Sequence, residues 1–128
     1  MLGSPQNKLE TILVVDDDEL MLKLLRTALA QENYELMLAA SGLEALNLLR
    51  KRRPDLILMD MEMPGLDGME TTSRIKSAEQ FSTLPVIMVT GNSEKAIVAS
   101  CLKAGATDFV VKPFNREVLL DKIHKLLH

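Results

Sequence analysis

The sequence predicts an α/β fold: a doubly wound, five-stranded parallel sheet of the flavodoxin-like (βα)5 type, order 2-1-3-4-5, in three α/β/α layers. Three observations predict it. Short apolar runs alternate five times with amphipathic stretches, as expected for strands buried on both faces and joined by crossover helices. The connections are short, and right-handed crossovers then leave few topologies, of which 2-1-3-4-5 is the common one at this size. The 128 residues, 47% hydrophobic and 26% charged, suffice for one domain with a sizeable core.

Met1–Lys8 lacks the apolar stretch of a signal peptide and reads as a flexible tail or a cloning scar, which leaves residues 9–128 as the domain. Thr11–Val15 is the first strand. Asp18 can cap the helix that follows, where Leu22, Leu25 and Leu29 recur at helical spacing. Tyr34–Ala39 is the second strand, and Ser41-Gly42 opens a helix through Arg50 with Ala45, Leu46 and Leu49 on one face. Asp55–Met59 is the third strand. Asp67 or Gly68 then starts a helix carrying Met69, Thr72, Ile75 and Ala78. Pro85–Val89 is the fourth strand, its proline suited to a first position. Ser93–Ala104 is the fourth helix, stopped by Gly105, and Thr107–Val111 the fifth strand. Asn115 can cap a last helix through Leu127.

Composition removes several function classes. A net charge of −3 gives no basic footprint for nucleic acid, and the single Tyr, three Phe and absent Trp give no stacking platform for bases. No apolar run approaches the ~20 residues of a membrane span. The one cysteine, Cys101, cannot form an internal disulfide and reads as buried filler in a reducing, cytoplasmic compartment.

Chemistry concentrates where the strands end. Asp16-Asp17-Asp18 follows the first strand, Asp60 the third, Thr90-Gly91 the fourth and Lys112-Pro113 the fifth. In a parallel sheet these converge on the carboxyl edge, where open α/β sheets bind ligands. Order 2-1-3-4-5 sets strands one and three side by side, so the acidic triplet faces Asp60 across the topological switch point. Crowded carboxylates repel unless a cation or proton intervenes. An oxygen-only set with room for water suits Mg²⁺. Asp60 can then serve as a nucleophile, with Lys112 and Thr90 receiving the incoming phosphoryl group. Asp18 and Asp67 read as helix caps rather than ligands, and His124 and His128 as surface residues.

These residues together resemble the receiver domain of two-component response regulators, over roughly Glu10 to Leu127. The resemblance implies that Asp60 is the phosphoacceptor, taking its phosphoryl group from a sensor histidine kinase, a phosphotransfer protein or a small donor. It implies Mg²⁺, for which Mn²⁺ can substitute, held by Asp17, Asp60 and the backbone carbonyl of Glu62, with Asp16 acting through water. Thr90 and Lys112 match the phosphate-sensing hydroxyl and amine. Lys112-Pro113 matches a peptide bond usually cis, and Phe109 the aromatic that moves with Thr90. Phe109 departs from the frequent tyrosine and lacks its hydroxyl. Glu62 and Asn92 flank the phosphoryl position and tune its lifetime, with a sign the sequence leaves open.

The implied role is a signalling module rather than an enzyme. Phosphorylation would alter the surface of the fourth helix, fifth strand and fifth helix, to control a protein target, a homodimer or an output domain, without direct contact to nucleic acid or membrane. The fourth helix carries Ala96, Ile97, Val98, Ala99, Cys101, Leu102 and Ala104 almost all round, more apolar surface than one packed face needs. The chain is read as a stand-alone regulator or a receiver cut from a longer protein. A phosphatase similar to the haloacid-dehalogenase superfamily would want a further acidic pair after strand four, where Thr90-Gly91-Asn92-Ser93 stands. An FMN carrier of the same fold would not place three aspartates at its phosphate loop.

Overall fold

The structure, a computed structural model, describes residues 9–128; the expected tail over residues 1–8 lies outside them. Strands β1 (Thr11–Val15), β2 (Glu35–Ala39), β3 (Leu56–Asp60), β4 (Val86–Thr90) and β5 (Asp108–Val111) form one parallel sheet. Its order is β2-β1-β3-β4-β5, as the alternation predicts. Helices α1 (Glu19–Ala30), α2 (Gly42–Lys51), α3 (Gly68–Ser77), α4 (Lys95–Lys103) and α5 (Arg116–Leu127) complete the three layers.

Alternation along the central strands divides the core in two. Leu13, Val15, Ile57, Met59, Val86 and Met88 pack under α2, α3 and α4, against Ala45, Leu49, Ile75 and Cys101. Ile12, Val14, Leu56, Leu58, Ile87 and Val110 pack under α1 and α5, against Leu25, Leu29, Leu119 and Ile123. Strands β1, β3 and β4 are buried throughout, whereas the edge strands β2 and β5 are only partly covered. Cys101 is a fully buried thiol, as its helical setting suggests, and its Sγ lies 3.6 Å from the Met61 sulfur.

Four helices begin on side-chain caps. Asp18 accepts from Leu20 N–H at 2.9 Å, Ser41 from Glu44 at 3.1 Å, Asp67 from Glu70 at 2.8 Å and Asn115 from Val118 at 2.8 Å. Each satisfies an amide the first turn leaves unpaired, worth about 1 kcal/mol. The Glu44 carboxylate in turn reaches back to accept from the N–H of Ala40, the residue before the cap.

Several boundaries move. β3 and β4 each start and stop one residue later than the apolar runs suggest. Asp55 lies before β3 because its carboxylate accepts from Thr11 N–H at 2.7 Å. Asp60 and Thr90 are consequently the last residues of their strands, held by the sheet rather than by loops. β2 starts at Glu35 rather than Tyr34, after a left-handed turn at Asn33 (φ 64°). The largest shift is at α4, which starts at Lys95 instead of Ser93. Asn92 explains it: its side chain accepts from Glu94 N–H at 2.8 Å and holds the preceding turn out of the helix. Glu94, at the N-cap of α4, makes no side-chain capping bond. Gly105 follows α4 at φ 113°, a conformation reserved to glycine. A 3-10 turn at Glu79–Phe81 was not anticipated, and Ala78 caps α3 instead of extending it.

Candidate functional site

The register carries the strand-end residues to one place. β1 pairs with β3 through Val15 and Met59, so Asp16 and Asp60 are the next residues along adjacent strands. Asp60 pairs with Val89, which puts Thr90 one step further at the neighbouring strand end. Backbone bonds from Met61 N–H to Val89 O (2.8 Å) and from Lys112 N–H to Thr90 O (2.7 Å) tie the exits of β3, β4 and β5.

Asp16, Asp17 and Asp60 each bring a carboxylate oxygen within 4.8 Å of the others. Asp16 and Asp60 are almost wholly buried, with Asp17 exposed at the rim. One oxygen of Asp16 accepts from Asp18 N–H at 2.9 Å, and the other lies 3.9 Å from the Lys112 ammonium. Lys112 donates to Asp60 Oδ1 at 3.1 Å. It is the only cation within bonding distance of the cluster among the described residues.

One ammonium does not balance three carboxylates. Burial pushes the Asp60 carboxyl up to about 6, and the Asp16 charge adds to the push, although the hydrogen bond from Lys112 opposes it. Burial likewise raises Asp16, against the Asp18 amide and Lys112. At Lys112 burial works against the charged form, yet the bond to Asp60 and the charges of Asp60, Asp16 and Glu62 outweigh it and raise its pKa. The pocket is short of positive charge. Three oxygen donors around a shared point fit a hard divalent cation such as Mg²⁺.

The other sequence candidates stand around this centre. The Thr90 hydroxyl is fully buried and engaged by its own turn, accepting from Asn92 N–H at 3.0 Å. Phe109 is half-buried, with the Lys122 ammonium 5.4 Å over its ring; Lys122 also holds both Asp108 oxygens at 3.1 Å. The Lys112–Pro113 peptide is cis. Glu62 turns its side chain back across the sheet edge, and its Oε1 accepts from Gly91 N–H at 3.0 Å. Behind the site, Gly68 N–H donates to Met61 O at 2.9 Å, and a Cβ on Gly68 would overlap the carbonyl of Asp60.

Besides the reach of Glu62 to Gly91, two features escape a reading of the sequence. The Lys122–Phe109 contact joins residues on different elements with no local signal. An apolar groove of about 540 Å³ also opens beside Lys112 between α1 and α5, lined by Met21, Leu24, Leu25, Phe114 and Leu120. Leucine excess on α1 is its only sequence trace, and Leu20 and Leu24 are 64% and 57% exposed.

Comparison with known proteins agrees with this geometry. The response regulator receiver domain family matches residues 12–124. The transcriptional regulatory protein AfsQ1 of Streptomyces coelicolor is 38% identical over 117 residues, 91% of this chain and 51% of that protein. The polar-differentiation response regulator DivK of Brucella ovis is 35% identical over 118 residues, 92% of this chain and 96% of DivK. The chain thus spans about half of AfsQ1 and nearly all of DivK. Among solved structures, the Vibrio cholerae chemotaxis protein CheY4 superposes with a TM-score of 0.89 at 32% identity, covering 94% of this chain and 100% of CheY4. The receiver domain of the Pseudomonas aeruginosa sensor histidine kinase PA1611, solved with magnesium in its active site cleft, gives a TM-score of 0.87 at 31% identity, covering 94% of this chain and 98% of that one. Fold, acidic cluster and family match agree: this chain belongs to the response regulator receiver family.

Proposed function

We propose that residues 9–128 form a phosphorylation-dependent switch whose acceptor is Asp60. The observation that carries the reading is the under-compensated acidic cluster, in which the strand-end carboxylate of Asp60 faces Lys112 at 3.1 Å. Asp17, Asp60 and the Glu62 backbone carbonyl would hold Mg²⁺, with Asp16 acting through water. The metal supplies the charge that lets a carboxylate and a phosphoryl group approach.

Asp60 provides the attacking oxygen. A bond forms from it to phosphorus, the bond from phosphorus to the donor's nitrogen or acyl oxygen breaks, and the leaving group takes the electron pair. Lys112 sits where it can neutralise a phosphoryl oxygen. Thr90 has a hydroxyl held only by its own turn, so it can exchange that contact for the phosphoryl group. The phosphoryl group brings about −2 charge to the sheet edge. Movement of Thr90 leaves space into which Phe109 turns, away from Lys122. The surface of α4, β5 and α5 then changes, and Ala96, Ala99 and Leu102, exposed on α4, form its apolar part. The target is a protein, an output domain or a second copy of the chain.

A sensor histidine kinase or phosphotransfer protein is the donor that suits this site. The exposed Leu24 and the apolar groove it lines stand beside Lys112, so an apolar helical donor could dock there with its phosphohistidine over Asp60. No helix among the described residues is long and apolar enough to cross a membrane.

Incubation with acetyl phosphate and Mg²⁺ tests the reading. Wild type should take one base-labile, hydroxylamine-sensitive phosphoryl group on Asp60, while Asp60→Asn or added EDTA should abolish uptake. A label on Asp16, or one that persists in Asp60→Asn, sinks it.

A further inference from the structure

The Glu62 side chain has no part in the chemistry above, where only its backbone carbonyl is used. Its placement is specific. Starting two residues beyond Asp60, the carboxylate crosses from the β3 exit to the β4 exit and accepts from Gly91 N–H at 3.0 Å. Two other amides of that turn are satisfied locally: Asn92 N–H donates to the Thr90 hydroxyl and Glu94 N–H to the Asn92 side chain. The Gly91 amide, by contrast, is handed to another strand's loop. It is also the donor adjoining Thr90, at the strand end beside Asp60. A Cβ on Gly91 would come within 3.4 Å of the same carboxylate oxygen, so the contact is close on both the amide and the Cα side.

We propose that the Glu62 carboxylate is an internal competitor for the phosphoryl group, latched on the Gly91 amide in the resting state and displaced when an anion occupies Asp60. This rests on the phosphoacceptor reading of Asp60 and deepens it. A phosphoryl oxygen and a carboxylate oxygen are both anionic acceptors, and one amide proton serves one of them well. The latch also stitches the loops after β3 and β4 together, so release of Glu62 frees the Thr90–Asn92 turn as the site fills. Glu62 acts as a positioning residue, through Gly91.

The test uses beryllofluoride, an anionic phosphoryl stand-in, with Mg²⁺ and the full chain. Titrations of wild type, Glu62→Ala, Glu62→Gln and Asp60→Asn are followed by the Gly91 amide resonance. Losing one exposed charge-assisted hydrogen bond should make Glu62→Ala bind beryllofluoride roughly fivefold more tightly than wild type. Glutamine keeps an acceptor without the charge, so Glu62→Gln should fall between them. In the free protein, the Gly91 amide should exchange with solvent faster in Glu62→Ala. Charge repulsion alone predicts that Gln and Ala behave alike and that Gly91 exchange is the same in every variant; that pattern overturns the latch. If wild type fails to bind, or Asp60→Asn binds equally well, the acceptor reading falls and the latch with it.

Discussion

The two edges of one sheet solve the burial of polar groups in opposite ways. At the amino edge, polar groups along the seam are paired with one another. Thr11 N–H bonds the Asp55 carboxylate at 2.7 Å, and Arg52 bonds the Thr11 hydroxyl at 3.0 Å and Glu35 at 2.7 Å. Val86 N–H donates to the Thr107 hydroxyl at 3.1 Å, and the Lys76 ammonium to Leu84 O at 2.6 Å. At the carboxyl edge, Asp16 and Asp60 are buried together beside Asp17, with Lys112 alone to compensate. The same strands thus end in a satisfied seam on one side and an excess of negative charge on the other. The first edge is closed by paired polar groups, and the second carries the perturbed carboxylates expected of a functional site.

Three substitutions sharpen or break this contrast. The largest effect belongs to Gly68→Ala, because an added methyl overlaps the Asp60 carbonyl and crowds the Met61 backbone. Backbone obstruction of this kind should cost about 3 kcal/mol in urea unfolding. A loss below about 1 kcal/mol would mean that the loop behind Asp60 yields easily.

Asp60→Asn should stabilise the metal-free protein. Burial first, and then Asp16, raise the Asp60 pKa to about 6, above its unfolded value of 3.8. The folded state therefore keeps the proton longer, and the associated stability is present below about pH 4 and lost as pH rises through about 6. At pH 8 in EDTA the ionised carboxylate is a burden, and its removal should gain about 2 kcal/mol, allowing for the partner Lys112 loses. The gain should vanish near pH 4, and Mg²⁺ should oppose it by stabilising wild type alone. Destabilisation at pH 8 would show instead that the Lys112 bond outweighs the burial cost.

The smallest effect lies at the opposite edge. Arg52→Ala removes a half-exposed ion pair and one hydroxyl contact, and should cost about 1 kcal/mol without altering phosphoryl uptake. A matching loss of uptake would mean that the two edges are coupled.

Much of this was legible before any coordinates. The buried strands announce themselves as unbroken runs such as Leu56–Met59, and Asp18, Ser41, Asp67 and Asn115 are caps recognisable by type and position. Strand order follows from chain connectivity, and once it is fixed Asp16 and Asp60 must be neighbours. Contacts between distant segments were not legible. Nothing local indicates that Glu62 reaches Gly91, that Lys122 covers Phe109, or that α1 and α5 leave a groove between them. The late start of α4 was hidden for a related reason: Ser93 is a good cap by propensity, but Asn92 holds Glu94 N–H first.

The packing of Gly68 onto the end of β3 has a mechanical consequence. With Gly68 N–H bonded to Met61 O and no free volume between Gly68 and the Asp60 carbonyl, the connection from β3 into α3 is stiff. Across the site, the connection from β4 into α4 contains an uncapped first turn and an exposed Gly91. Should Asp60 be the acceptor, as proposed, a load applied there would meet backbone packing on the α3 side and only exchangeable hydrogen bonds on the α4 side.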